Sequence, residues 1–341
     1  MLSTADSTVN TKPRLLIAEC SRFSPRAISI LSESFEVELA DLDREGLLQR
    51  VAGFNFLWVR LRNLIDAEVM DAAPALRTVI TNTTGLNHID LDHAKRRGID
   101  IVSLRGETKF LHRIRATAEH TIALTLALLR RIPDAHVHAC DGQWDRNLFR
   151  GSEIYEKTVG IVGYGRLGRI AARYFCAFDA SVIIHSLDLT PGTVVDSLPV
   201  VGLPQLLADA DIVSLHVNYE PENEGLFGKA EFDQMKPDAV FVNTARGELV
   251  DENALADALE SGKLAGAAID VVRGEQTHDF APSRLVQLAR NLGNVVLTPH
   301  IGGNTHESLA KTELFLAKKL CRMAPCWQPG RRVMPSPDDN V

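Results

Sequence analysis

The chain is poor in aromatic side chains, in cysteine and in net positive charge, and each scarcity removes a class of function. Aromatic residues occupy 6% of its 341 positions, too few for the stacking platforms that read single-stranded nucleic acid. The formal charge is −7 and the pI about 5.9, whereas a nucleic-acid domain needs a basic face, so nucleic acid is not the expected partner. The five cysteines, Cys20, Cys140, Cys176, Cys321 and Cys326, follow no short regular spacing. They form neither a disulfide framework nor a zinc pattern, so no metal is expected, and they read as reduced thiols of a cytoplasmic protein. The longest greasy run, Thr121–Leu129, is far below the roughly 20 residues that span a bilayer, so no membrane partner is expected. Met1–Lys12 is polar, and the expectation is that it is not a signal peptide. There is no internal repeat and no low-complexity tract.

What is present is the balance of a globular protein, with 45% apolar and 24% charged residues. The length suggests about two domains. In the first half, Leu15–Ala18, Val37–Ala40, Phe56–Val59, Thr78–Thr81 and Ile101–Ser103 read as buried strands, separated by helical spacing such as Arg26–Ser34 and Asp90–Arg97. A second alternation has strands at Thr158–Val162, Ser181–His185, Asp211–His216, Ala239–Asn243, Ala265–Asp270 and Val295–Leu297, and a last helix at Thr305–Leu320. Strands alternating with helices imply parallel sheets covered on both faces, a doubly wound α/β fold. Thr117–Ile132 is the strongest helix: Glu119 lies in its first turn, Arg130 and Arg131 in its last, and Pro133 follows as the stop. It is apolar nearly all round, which suits burial between elements or subunits. The polar run His136–Glu156 reads as a long connecting arm, and the tail after the last helix as loose.

The segment Gly163-Tyr164-Gly165-Arg166-Leu167-Gly168 is a GxGxxG that ends an apolar strand and opens a helix. The first glycine permits the turn, the second lets a pyrophosphate approach the backbone, and the third lets helix and strand pack closely. The helix N-terminus then offers free N–H groups to the phosphates. A dinucleotide is the cofactor this context predicts. At the end of the next strand, the position that usually carries a ribose-binding carboxylate is Ser186. No Arg for a 2′-phosphate lies between Ser186 and Val195, and Asp188 would repel one while accepting from a ribose. NAD is favoured, with NADP the open alternative.

Three further segments fall at strand ends of the same domain, where ligands bind in open α/β sheets. They are Asn243-Thr244-Ala245-Arg246, Asp270-Val-Val-Arg-Gly-Glu275, and Leu297-Thr-Pro-His300-Ile-Gly302-Gly303. A guanidinium suits a carboxylate ligand, and a histidine beside a glutamate suits acid–base work. Taken singly, Arg246 is equally readable as a surface ion-pair partner and His300 as a packed histidine.

Together with Thr84-Gly-Leu-Asn-His-Ile-Asp90, Arg97-Gly98-Ile99 and Ala118-Glu119-His120, these motifs resemble the D-isomer-specific 2-hydroxyacid dehydrogenase family over roughly residues 50 to 320. The resemblance implies two Rossmann-like or flavodoxin-like parallel-sheet domains with a cleft between them. Residues 1–115 with 303–341 would form the substrate-binding domain, and 116–302 the dinucleotide-binding domain. It implies NAD(P)-dependent interconversion of a 2-keto acid and a D-2-hydroxy acid. Arg246 would orient the substrate carboxylate, His300 would be the acid–base group, and Glu275 its partner. The loop of Thr84 and Gly85 would hold the carboxylate through backbone amides. Arg166 and Leu167 would lie against the pyrophosphate, and Asp270 near the nicotinamide. Val217, Thr244 and Ala245 would line the nicotinamide side, with Asn218, Gly302 and Gly303 also at the cofactor. A homodimer built on residues 116–156 is implied.

The chain departs from the family pattern at Ser186, at His216-Val-Asn-Tyr-Glu-Pro and at Val272-Arg273. With no regulatory module after residue 320, the expectation is against the feedback-inhibited long form of phosphoglycerate dehydrogenase. The basic segment Arg105, Lys109, His112, Arg113 and Arg115, with Arg60 and Arg62, suggests a substrate carrying a second anionic group such as a phosphate. The competing reading is a solvated loop paired with acidic residues. A cofactor-sensing corepressor of the same fold is the alternative function, because such proteins keep the same three site residues.

Overall fold

The computed structural model describes residues 12–275 and 280–323. Cys326, the tail beyond Met323 and the segment before Lys12 lie outside the described residues, as do the expectations placed on them. Residues up to Thr108 and from Leu309 on form one unit, and Lys109–Ser308 form the other.

In the first unit, strands β1 (Arg14–Ile17), β2 (Glu36–Leu39), β3 (Phe56–Val59), β4 (Thr78–Thr81) and β5 (Asp100–Val102) alternate with helices α1 (Pro25–Ser34), α2 (Arg44–Arg50), α3 (Ala67–Asp71) and α4 (Leu91–Arg97). The sheet is parallel throughout, in the order β2-β1-β3-β4-β5. Residues with side chains that accept from the first-turn N–H groups set the helix starts: Ser24, Asp43, Asp66 and Asp90. All four residues of β3 and of β4 are buried, as expected of strands covered on both faces.

The second unit contains α5 (Thr108–Leu111), which straddles the boundary, then α6 (Ala116–Leu129), α7 (Ile132–Cys140), β6 (Thr158–Val162), α8 (Arg166–Cys176) and β7 (Ser181–His185). It continues with the short hairpin β8 (Val194–Val195) and β9 (Leu198–Pro199), then α9 (Leu203–Asp209), β10 (Ile212–Leu215), α10 (Lys229–Gln234) and β11 (Ala239–Asn243). The last elements are α11 (Glu252–Glu260), β12 (Leu264–Ile269), α12 (Arg284–Leu288), β13 (Val295–Leu297) and α13 (His306–Met323), most of which belongs to the first unit. The large sheet is parallel, in the order β13-β12-β11-β10-β6-β7. Strand side chains alternate between two cores: Val213 and Phe241 pack with Phe227 and Phe232 on one face, and Ile212, Val240 and Val242 pack with Leu124 and Phe175 on the other.

One helix boundary differs from the sequence reading. The helix expected to end at Ile132 ends at Leu129, and the start of the expected arm is helix α7, with Pro133 in its first turn. Arg131 takes the left-handed conformation, φ 52°, between the two helices. Proline lacks the N–H that a first turn does not need, so here it starts a helix instead of ending one.

Candidate active site

The glycine turn joins β6 to α8, and its three glycines are there for three different reasons. Gly163 has φ 94°, and a Cβ there would lie 2.7 Å from the backbone of His216. A Cβ on Gly168 would lie 2.0 Å from the carbonyl oxygen of Gly163, so helix and turn touch backbone to backbone. A Cβ on Gly165 would meet nothing within 4 Å, so this glycine leaves a space open. Gly165 is also the N-cap of α8 and gives no side-chain cap bond. An uncapped helix N-terminus beside open space is what a pyrophosphate fits. Arg166 turns its guanidinium away, donating to the carbonyls of Leu111 (3.2 Å) and Ile114 (3.0 Å). Burial, with Arg115 adding repulsion, lowers its pKa. Leu167 follows it in the first turn of α8.

Beside the turn, the Tyr164 hydroxyl donates to Asp196 (2.9 Å) on the β8–β9 hairpin, and Arg169 pairs with the same carboxylate. Burial, then Asp196, pushes the phenol up to about 12. At the end of β7, Ser186 is half-buried and Asp188 is exposed. His216, Val217 and Asn218 follow β10. Burial drops the His216 imidazole to about 4, so it is neutral at pH 7, with its Nε2 2.9 Å from the Ser214 hydroxyl. Asn218 is exposed, and its carbonyl accepts from Asn223 (2.7 Å).

After β11 the chain turns sharply, and Asn243 fixes that turn. Its Oδ1 accepts from the Ala245 N–H (2.9 Å), and its Nδ2 donates to the Arg246 carbonyl (2.9 Å). Thr244 is buried, its hydroxyl 2.8 Å from that of Thr121 on α6. The turn presents Arg246, which donates to the Ala245 carbonyl (2.6 Å). Burial lowers the Arg246 pKa, and Glu275 and Glu248 nearby offset part of that effect. Sequence reasoning left Asn243 out of the site. Its signal was a short polar side chain at a strand end, where self-bonded turns form.

His300 follows β13 with φ 52°, a left-handed conformation that costs a non-glycine residue about 1 kcal/mol or more. Its Nδ1 is hydrogen-bonded to Oε1 of Glu275, whose other oxygen accepts from the Val272 N–H (3.2 Å). Arg246, Glu275 and His300 thus come together at the same edge of the parallel sheet, from the segments after β11, β12 and β13. Asp270, 1% exposed, faces this loop. Its carboxylate accepts from the Thr298 hydroxyl (2.6 Å) and from the N–H groups of Ile301 (2.9 Å) and Gly302 (2.8 Å). Burial raises its pKa, but these bonds and His120 outweigh it, so the net shift is downward. Gly303 is open, with nothing within 4 Å of a built Cβ.

The remaining candidates lie in the first unit. The loop after β4 holds Thr84, exposed, and Gly85, whose carbonyl accepts from the Thr83 hydroxyl (2.7 Å). Arg60, expected to add to an anion-binding surface, directs its guanidinium inward, to Glu313 (2.6 Å) and the Ser21 carbonyl (2.9 Å). Arg62 pairs with Asp41 (2.7 Å). Among the described residues, no cluster of three or more His, Cys, Asp or Glu is placed to hold a metal, and no helix is long and apolar enough to cross a membrane.

Comparison with known proteins gives a consistent picture. Residues 122–302 match the family model of the D-isomer specific 2-hydroxyacid dehydrogenase NAD binding domain. The D-3-phosphoglycerate dehydrogenase of Mycobacterium tuberculosis is 39% identical over 298 residues, covering 87% of this chain and 54% of that protein. The chain therefore spans about half the length of the phosphoglycerate dehydrogenases it matches. A glyoxylate reductase of Thermofilum pendens is 36% identical over 283 residues, covering 81% of this chain and 80% of the other. Among solved structures, the TT0316 protein from Thermus thermophilus aligns with a TM-score of 0.78 and 33% identity, over 94% of this chain and 100% of that one.

Proposed function

Because the chain belongs to the D-isomer specific 2-hydroxyacid dehydrogenase family, we propose that it interconverts a 2-keto acid and a D-2-hydroxy acid with a nicotinamide dinucleotide. The observation that carries this reading is the meeting of Arg246, Glu275 and His300 at one sheet edge.

The residues of the glycine turn would hold the cofactor: the N–H groups at the start of α8, at Gly165, Arg166 and Leu167, would take its pyrophosphate, and Ser186 and Asp188 would take its ribose. When bound, the cofactor supplies the reducing equivalent and takes it back in the reverse direction. His300 uses Nδ1 to bond Glu275, which leaves Nε2 free to hold or release the proton exchanged with the substrate oxygen. Glu275 fixes the orientation of the ring. Arg246 offers paired N–H donors to the substrate carboxylate and carbonyl, and its positive charge stabilises the negative charge that develops on the oxygen.

The substrate pair is a small 2-keto acid and its D-2-hydroxy acid, with a phosphoglycerate-like hydroxy acid among the candidates. The protein is proposed to act in the cytoplasm as a homodimer. The apolar side chains exposed between Ile132 and Tyr155, with Trp144 88% exposed, support an interface there. The test is loss of NADH absorbance with a panel of 2-keto acids, run in parallel with NADPH. Turnover of at least one acid, faster with NADH, is expected. Cofactor binding without turnover of any would defeat the reading.

A further inference from the structure

Helix α6 reaches the loop that carries His300 through two side chains, Thr117, whose methyl lies 3.3 Å from where a Gly302 Cβ would stand, and His120, which makes the polar contact. Its Nε2 lies 3.0 Å from the Thr298 hydroxyl and 3.2 Å from Oδ1 of Asp270. The proton positions follow from the chemistry of the partners. A carboxylate only accepts, so the Thr298 hydroxyl, 2.6 Å from Asp270, gives its proton there. The Thr298 oxygen is then an acceptor only toward His120, and His120 must carry its proton on Nε2. Asp270 is 1% exposed, so each donor to its carboxylate counts. The same carboxylate holds the N–H groups of Ile301 and Gly302, and the Asp270 carbonyl accepts from His300 N–H (2.8 Å). Contact is close here: a Cβ on Gly302 would come within 2.8 Å of Asp270 and 3.6 Å of His120.

We infer that His120 is a positioning residue for His300. Its Nε2–H completes the donor set of Asp270 and Thr298, and that set holds the 298–302 loop with His300 in its left-handed conformation. The role deepens the proposed reaction and rests on it for the kinetic readout alone.

The test compares His120→Leu, which removes the donor, with His120→Gln, which places an amide N–H near the position of Nε2. Thr298→Val breaks the same relay from the other end, should the leucine variant not fold. In the leucine or valine variant, amide exchange at Ile301 and Gly302 rises about tenfold, the effect of losing one net hydrogen bond, while protection in β6 and β11 is unchanged. kcat falls about tenfold, the scale of a small misplacement of a reacting group, with keto-acid KM and NADH Kd within about twofold. His120→Gln recovers both to within about threefold. Unchanged exchange and kcat in the leucine and valine variants would overturn the inference. So would a glutamine variant as impaired as leucine, or a loss confined to NADH binding. If the parent chain reduces no keto acid, the proposed reaction fails, and the exchange measurement still decides the role of His120.

Discussion

Replacing Arg60 with alanine separates a structural from a ligand-binding role for that residue. Glu313 is fully buried, and its carboxylate has two partners, the Arg60 guanidinium (2.6 Å) and the Ser24 N–H (2.7 Å). Even so, burial outweighs both partners, and the Glu313 pKa lies above its ordinary value. The folded state thus favours the protonated acid, and stability falls as pH rises through the folded pKa. Arg60→Ala leaves the carboxylate one donor and raises that pKa further. Breaking a buried pair from one side costs about 3 kcal/mol, or about 10 °C in the melting temperature of a unit this size. The cost belongs to the ionised acid, so it is larger at pH 8 than at pH 5. Urea unfolding followed by Trp58 fluorescence reads this directly, because Trp58 is 1% exposed and its strand leads into Arg60. Arg60→Met with Glu313→Leu should recover most of the loss. Equal deficits at the two pH values, or a deficit under about 1 kcal/mol at pH 8, would refute the structural assignment and return Arg60 to the substrate.

Two further predictions concern the site. Gly165→Ala leaves stability within about 0.5 kcal/mol, since its Cβ enters open space, but weakens NADH binding about tenfold or more; Gly168→Ala, facing a backbone oxygen, lowers the melting temperature instead. Calorimetry of binding and of unfolding checks the contrast. Arg246→Lys keeps the charge and loses the paired donors, so kcat/KM for a keto acid falls roughly 100-fold with NADH binding retained; steady-state kinetics that show less than a threefold change would count against the carboxylate contact.

The strands were legible because each is a short apolar run flanked by polar turns. All eleven expected strands occur within one residue of the expected positions at each end. The site motifs were legible because glycine, arginine and histidine at strand ends have few other uses. What escaped was non-local or too short to show a period. The β8–β9 hairpin has two-residue strands, and its turn is made by Asp196 and Ser197 at positive φ, residues with no glycine to mark them. Pro133 reads equally as the end of one helix or the start of the next. Arg60 and Glu313 are separated by most of the chain, and His120 meets Asp270 only through folding. Residue type alone suggested an anion-binding arginine, and packing decided where its guanidinium points.

The proposed reaction has His300, held by Glu275, exchange the proton with the substrate. The measurement that tests it most directly is turnover and NADH affinity in His300→Ala, with the keto acid that the parent reduces fastest. The variant should have a kcat lower by about 1,000-fold with NADH Kd within about threefold, the loss expected for an acid–base group outside the cofactor's grip. Turnover close to the parent rate would contradict it.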